Sequence, residues 1–348
     1  MIALLMAASA AFACNIIATP FLIRALRARG IGQLIRDDGP FAHPHVAKAG
    51  TPTMGGLAII GGVVLGYAVA HLRSDELKFA RTGLLMMAMI VGLAVVGFVD
   101  DYLGVRRGRN LGLRKRGKTA GQLVVAGLFA FLALDWVGVS TNLSYTRPTL
   151  LDLTTVGWFV VAVLIVYGSS NAVNLTDGMD GLAAGSATLV FMAFTVIGFW
   201  QFRHPEIYGI DSAMAIDLAV VSAALAGACG GFLWWNAAPA QIFMGDTGSL
   251  ALGGAMAGLA LLGGTVLLLP ILGGLYVVET LSVIAQVISF RGFGRRVLRM
   301  APIHHHFEVG GWPETTVIVR LWLFAGASVA LGLGLFYANF INIPGVIE

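Results

Sequence analysis

Charge is scarce in this 348-residue chain. Asp, Glu, Lys and Arg together make up 11% of it, against roughly a quarter in soluble globular proteins. With 57% hydrophobic residues and a mean hydropathy of +0.84, that scarcity excludes a soluble globular domain and identifies an integral membrane protein. Cysteine is nearly absent: Cys14 and Cys229 both lie in apolar runs without metal-ligand spacing, which leaves neither a disulfide framework nor a redox centre. No basic residue precedes the apolar run from Ile2 to Ile23, whose character continues to Arg24; it reads as a first membrane span that is kept, not as a secretion signal. Internal repeats, low-complexity tracts and composition shifts are also missing, so residues 1–348 read as one polytopic membrane domain. The longest stretch outside a span, Arg24 to Thr53 with Pro40, Pro44 and Pro52, reads as a loop that orders on binding.

What is present is apolar sequence in lengths near the ~20 residues a membrane-crossing helix needs. Ten such segments are expected, at 2–23, 54–72, 82–99, 120–138, 155–171, 182–201, 213–234, 249–265, 267–290 and 317–340, giving an all-α integral membrane fold. The 46 glycines suit close helix packing in lipid. Pro270 with Gly273 and Gly274 should break the ninth helix. Basic residues are distributed unequally between the two sets of loops. The odd loops hold Arg24, Arg27, Arg29, Arg36 and Lys48, then Arg106, Arg107, Arg109, Arg114, Lys115, Arg116 and Lys118, then Arg291, Arg295, Arg296 and Arg299; the even loops hold only Arg73, Lys78, Arg81, Arg147 and Arg203. Positive charge marks the cytoplasmic side, so both termini are expected outside. The net charge of +4 is thereby a topology signal and gives no reason to expect nucleic acid, although the basic loops would attract anionic lipid or substrate.

The same odd loops carry the chemistry. Asp100 and Asp101 close the third segment, NAVNLTDGMDGLA from Asn171 follows the fifth, FMGDTGS from Phe243 follows the seventh, His304, His305 and His306 lie in the ninth loop, and Lys48 lies in the first. The outer acids Asp75, Glu76, Asp152, Glu206 and Asp211 stand in no repeated setting with Gly or Asn. Asp177 and Asp180, with no basic neighbour, would repel each other unless a cation or water lies between them, and Gly178 and Gly181 suit a tight turn or a close approach to ligand. Adjacent helical residues point about 100° apart, so Asp100 and Asp101 should take separate roles, one towards a metal and one towards a proton. Asp246 or Thr247 could cap the eighth helix, and a helix N-terminus is also a phosphate site. Asn236 follows Trp234 and Trp235 and fits either an interfacial position or a ligand contact. Carboxylate oxygens without cysteine suit Mg2+, with Mn2+ as the alternative, over zinc. Three consecutive histidines point in different directions, which argues against tridentate metal binding and for imidazoles that orient phosphate oxygens. Lys48 precedes a turn at Gly50 to Thr53 that could anchor it beside an anionic ligand. Glu279, Ser282 and Gln286 form a polar stripe within the ninth span, either functional or bonding neighbouring helices.

Taken together, KAGTPTMGG at Lys48, VDDYLG at Val99, GLRKRGK at Gly112, NAVNLTDGMDGLA at Asn171, FMGDTGS at Phe243 and PIHHHFE at Pro302 resemble the polyprenyl-phosphate N-acetylhexosamine-1-phosphate transferases over nearly the whole chain. The HHHFE form is similar to the branch of bacterial cell-wall synthesis, as distinct from relatives that use UDP-N-acetylglucosamine. The resemblance implies ten spans in the bacterial cytoplasmic membrane, with the active site on the cytoplasmic face, and a homodimer. It implies transfer of phospho-N-acetylmuramoyl-pentapeptide from UDP-MurNAc-pentapeptide to undecaprenyl phosphate with Mg2+, giving lipid I and UMP. Carried onto this sequence, Asp100, Asp101, Asp246 and His304 are catalytic, with Asp246 and Asp101 as metal ligands. Lys48, Thr53, Lys118, Asn174, Leu175, Asp177, Gly178, Asp180, Asn236, Phe243, His305 and His306 fall at nucleotide and substrate positions.

Such a reaction needs neutralisation of two anions and in-line positioning. A single displacement with Asp100 as base is the preferred mechanism, against a covalent phospho-aspartate on Asp246. The alternatives in function are a UDP-N-acetylglucosamine polyprenyl-phosphate transferase and a cation-coupled transporter, for which only Glu279 would serve.

Overall fold

The computed structural model describes residues 1–32, 48, 50–72, 77–107 and 112–343. Arg36, Pro40, Pro44, Arg73, Asp75, Glu76 and Arg109 lie outside the described residues. Each of the ten expected segments is helical. In chain order the helices are α1 (Ile2–Ala28), α2 (Gly56–His71), α3 (Arg81–Arg106), α4 (Lys115–Leu132), α5 (Thr154–Thr176), α6 (Leu182–Arg203), α7 (Pro205–Tyr208), α8 (Ser212–Asn236), α9 (Gly245–Leu262), α10 (Leu269–Leu272), α11 (Gly274–Phe293), α12 (Ile303–Val309) and α13 (Glu314–Ile341). Eight of them are long and apolar enough to cross a membrane: α1, α3, α4 with its π-helical continuation to Val137, α5, α6, α8, α11 and α13. Between α4 and α5 a small antiparallel hairpin pairs β1 (Asn142–Ser144) with β2 (Pro148–Asp152), which the apolar pattern does not announce.

Two helices made largely of small residues occupy the centre. In α9 every residue from Thr247 to Leu262 is buried, between α3 on one side and α5 on the other. Its glycines set the spacing: a Cβ on Gly253 would strike the backbone of Ser169 in α5, and one on Gly254 or Gly258 would strike Leu93 or Met89 of α3. Helix α8 packs against α1, α2 and α6 in the same manner, with a Cβ at Gly231 meeting the carbonyl of Phe12 at 2.5 Å. Small residues trade side-chain volume for backbone proximity, which in lipid is the main source of packing energy.

The ninth segment is broken as Pro270, Gly273 and Gly274 suggest. A 3-10 turn (Val266–Leu268) and the single turn α10 precede Gly273, and α11 begins after it. Gly274 sits so close to α13 that a Cβ would lie 2.6 Å from Oγ of Ser328.

Helix ends differ from the sequence reading where polar side chains find helical partners. Helix α3 runs to Arg106, so Asp100 and Asp101 lie within it and do not terminate it. Helix α5 runs to Thr176 and includes Asn171 and Asn174. Asn171 donates from Nδ2 to the carbonyl of Tyr167 one turn back at 2.8 Å, which satisfies it without leaving the helix. The turn then occupies Asp177 to Gly181, with Gly181 in the left-handed region at φ 76°.

Candidate active site

The site is built on the N-terminus of α9. Gly97 of α3 lies so near this terminus that a Cβ there would strike the backbone of Asp246. One turn on, Asp101 accepts the amide hydrogens of Asp246 (3.0 Å) and Thr247 (2.9 Å) and the Thr247 hydroxyl (2.6 Å). The cap of α9 is thus supplied by a carboxylate of another helix, which satisfies two of its otherwise orphaned donors and complements its dipole. Asp101, expected to bind metal, has both oxygens engaged in this way. Asp100 points elsewhere, as helical geometry requires. Its Oδ1 accepts the Leu113 amide at 2.7 Å, and its carboxyl faces that of Asp246, with Lys118 Nζ 3.9 Å from Oδ2.

Asp246 receives Lys118 at Oδ2 and Asn174 Nδ2 at Oδ1 (2.5 Å); the Asn174 amide also reaches Ser249 Oγ at 2.9 Å. Thus α4, α5 and α9 meet on one carboxylate. Asp177, at the end of α5, accepts the Gly245 amide. Half-buried beside the negative charges of Asp246 and Asp101, its carboxyl is pushed up to about 8, desolvation being the largest cause.

The first loop is held by backbone pairing. The carbonyl of Pro52 accepts the Phe243 amide (2.8 Å), and the Gly55 and Gly56 amides donate to the carbonyls of Phe243 and Met244 (2.8 Å each). This pairing sets Thr53 beside Gly245, where a Cβ would lie 3.0 Å from the threonine Oγ1. Lys48 Nζ bonds Asp180 Oδ1 at 2.7 Å and Glu314 Oε1 at 2.5 Å, while Asp180 Oδ2 accepts the Ala240 amide at 2.8 Å. Asn236 is buried and donates to the carbonyl of Ile242 (2.9 Å), bracing the turn that carries half-buried Phe243; Leu175 lies half-buried on the last turn of α5.

The three histidines diverge as expected. His304 Nδ1 lies 3.0 Å from Glu279 Oε2, His305 Nδ1 lies 3.0 Å from Glu308 Oε2, and His306 Nδ1 accepts the Arg299 amide at 3.1 Å. A Cβ on Gly178 would run into Nε2 of His304 and lie 3.3 Å from Nε2 of His305, so both rings lie over the turn that carries Asp177.

Two groups of expected residues therefore meet: Asp100, Asp101, Lys118, Asn174, Asp177 and Asp246 around α9, and Lys48 with Asp180 alongside. His304 and His305 join through Gly178, whereas His306 faces its own loop. Sequence reading missed Glu314, Thr247 as a bonding partner, and Ser249. Glu314 follows Pro313 at a helix start, where an acid reads as an ordinary first-turn residue.

Among the described residues no three acidic, histidine or cysteine side chains gather closely enough to hold an ion as they stand. The donor chemistry nonetheless fits a hard divalent cation. The convergent groups are carboxylates without sulfur, Lys118 is their one ammonium partner among the described residues, and the raised Asp177 carboxyl records a like-charge cost that a cation would relieve. A helix N-terminus, amide donors, an ammonium and imidazoles around such a cluster suit handling of phosphorylated anions.

The chain is similar to known proteins over nearly its whole length. Residues 83–264 match the profile of glycosyl transferase family 4, and residues 48–60 match signature 1 of the phospho-N-acetylmuramoyl-pentapeptide-transferases. Proteins named phospho-N-acetylmuramoyl-pentapeptide-transferase are similar end to end. That of Frankia alni is 50% identical over 97% of this chain and 98% of its own length; those of Saccharopolyspora erythraea and Mycobacterium avium are 48% identical over 98% of this chain and 98% and 99% of theirs. This chain therefore belongs to the phospho-N-acetylmuramoyl-pentapeptide-transferase family.

Proposed function

We propose that this protein transfers phospho-N-acetylmuramoyl-pentapeptide from its UDP carrier to undecaprenyl phosphate, giving lipid I and UMP, at the cytoplasmic face of the bacterial cytoplasmic membrane. The observation that carries the reading is the meeting of α3, α4, α5 and α9 on Asp246, within a chain half identical to named transferases over nearly its full length. A phosphate oxygen of the lipid attacks the sugar-linked phosphorus, and the bond to the bridging oxygen breaks, so that UMP departs. Asp100, fixed at Oδ1 by the Leu113 amide, keeps Oδ2 turned to the site and takes the proton of the attacking phosphate. With a second phosphate pKa near ~6 the acceptor asks little of that base. Lys118 moves from Asp246 to the diphosphate oxygens once substrate enters, and Asn174 holds Asp246 in place. Asp246 would hold Mg2+, which when bound would supply charge neutralisation of the diphosphate. Lys48, released from Asp180 and Glu314, meets the nucleotide, with Phe243 and Asn236 shaping its pocket.

Purified protein supplied with undecaprenyl phosphate should release UMP from UDP-MurNAc-pentapeptide only when Mg2+ is added, and should not do so from UDP-N-acetylglucosamine. Release from the second donor alone would move the protein to the other branch of polyprenyl-phosphate transferases. No release from either donor would refute the reading. The transporter alternative loses its candidate, because Glu279 is paired with His304 of the ninth loop and does not stand alone at membrane depth.

A further inference from the structure

The stripe on α11 serves one segment, residues 297–304, which leads into α12. Gln286 accepts the Val297 and Leu298 amides (3.0 and 2.9 Å) and donates to the Leu298 carbonyl (3.1 Å), and Ser282 Oγ accepts the Ile303 amide (3.0 Å). Both are neutral side chains holding backbone. Glu279 is of another kind: a wholly buried carboxylate whose partner is a wholly buried imidazole, with Oε2 3.0 Å from Nδ1 of His304. Its Oε1 has no hydrogen-bond partner among the described residues. Burying a carboxylate costs several kcal/mol, and docking alone would be served by an amide, as at Gln286.

The other edge of the ring explains the choice. Nε2 of His304 is buried, has no hydrogen-bond partner among the described residues, and faces Gly178 so closely that a Cβ there would strike it. The bond made by one ring nitrogen decides which atom the other presents. We propose that Glu279 is a positioning residue: it accepts the Nδ1 proton of His304 and thereby fixes the ring with Nε2 presented across Gly178 to a phosphate oxygen of the substrates. The inference rests on the phosphotransfer reading, and it assigns Glu279 no contact with substrate.

The test is a double-mutant cycle on the full-length protein in detergent, with UMP release, thermal unfolding and 15N imidazole spectra of histidine-labelled protein as readouts. Glu279→Ala should lower kcat by about tenfold or more, the scale on which loss of an orienting partner acts, with KM for the UDP-linked donor little changed. In a His304→Ala background the same substitution should cost nothing further. Glu279→Asp should recover part of kcat, and the His304 spectrum should lose its single Nδ1-protonated form in Glu279→Ala. Should Glu279→Ala fail to fold, Glu279→Leu, which fills the same space without an acceptor for Nδ1, takes its place in the cycle with the same expectation. An equal loss in wild-type and His304→Ala backgrounds, or an unchanged His304 spectrum, would overturn the proposal. The spectra need no substrate, so absence of UMP release by the wild-type protein would count against the reaction assigned above while leaving the Glu279–His304 link decided by itself.

Discussion

Asp101 separates two accounts of the acid pair in α3. Expected from its family position to bind metal, it is found accepting two backbone amides and a hydroxyl at the start of α9, all within 3.0 Å. Hydrogen bonds to a charged acceptor are worth about 1.5–3 kcal/mol each, and a helix cap about 0.5–2 kcal/mol. Because the three share one carboxylate and do not add, Asp101→Ala should cost about 3 kcal/mol. Asp101→Asn keeps one carbonyl acceptor but turns an amide towards donors, and should cost about half as much. For a chain of this size that is a fall on the order of 5 °C in Tm for Asp101→Ala, read by tryptophan fluorescence in detergent with EDTA present. The loss should be the same without Mg2+, because it belongs to the helix terminus. If metal-free Asp101→Ala unfolds at the wild-type temperature and differs only in Mg2+ affinity, the capping account is wrong and Asp101 is a ligand.

Other consequences are equally direct. Asp246→Asn should abolish both UMP release and its dependence on Mg2+; near-normal turnover would remove Asp246 from the centre of the site. Gly178→Ala should stop turnover by displacing His304 and should also lower Tm, since the ring it strikes is wholly buried against Glu279; normal activity would show that His304 need not lie there. Because the Asp177 carboxyl is pushed up from the ordinary carboxylate range to about 8, folded protein holds a proton that unfolded protein has released. Metal-free protein should therefore lose stability as pH rises from about 4 through about 8, and Asp177→Asn should flatten that slope; an identical slope in the variant would refute the assignment. Incubation with the UDP-linked donor but no lipid should leave the protein mass unchanged, whereas a phospho-sugar adduct on Asp246 would replace the single displacement with a covalent route.

Much of the architecture was legible because lipid imposes a coarse rule, runs of about 20 apolar residues, and because Pro270 and Gly273 are unambiguous breakers. Helix ends were not, since the side chains of Asp101 and Asn174 remain helical by bonding to partners far along the chain, which no local pattern encodes. The divergence of Asp100 from Asp101, and of the three histidines, followed from helical geometry alone. The bridging of Asp180 and Glu314 by Lys48 did not, because Glu314 lies 266 residues further on and looks like any first-turn acid. The stripe Glu279, Ser282, Gln286 was visible as a pattern, but its partners in the ninth loop emerge only when that loop folds back on α11.

The central claim is that Asp246 and its neighbours move a phospho-sugar from a nucleotide onto a polyprenyl phosphate. Mass spectrometry of the lipid fraction after incubation with UDP-MurNAc-pentapeptide, undecaprenyl phosphate and Mg2+ tests it most directly. The account requires the intact diphosphate-linked product with wild-type protein and its absence with Asp246→Asn; a lipid fraction unchanged by the wild-type protein, or converted equally by the variant, would contradict it.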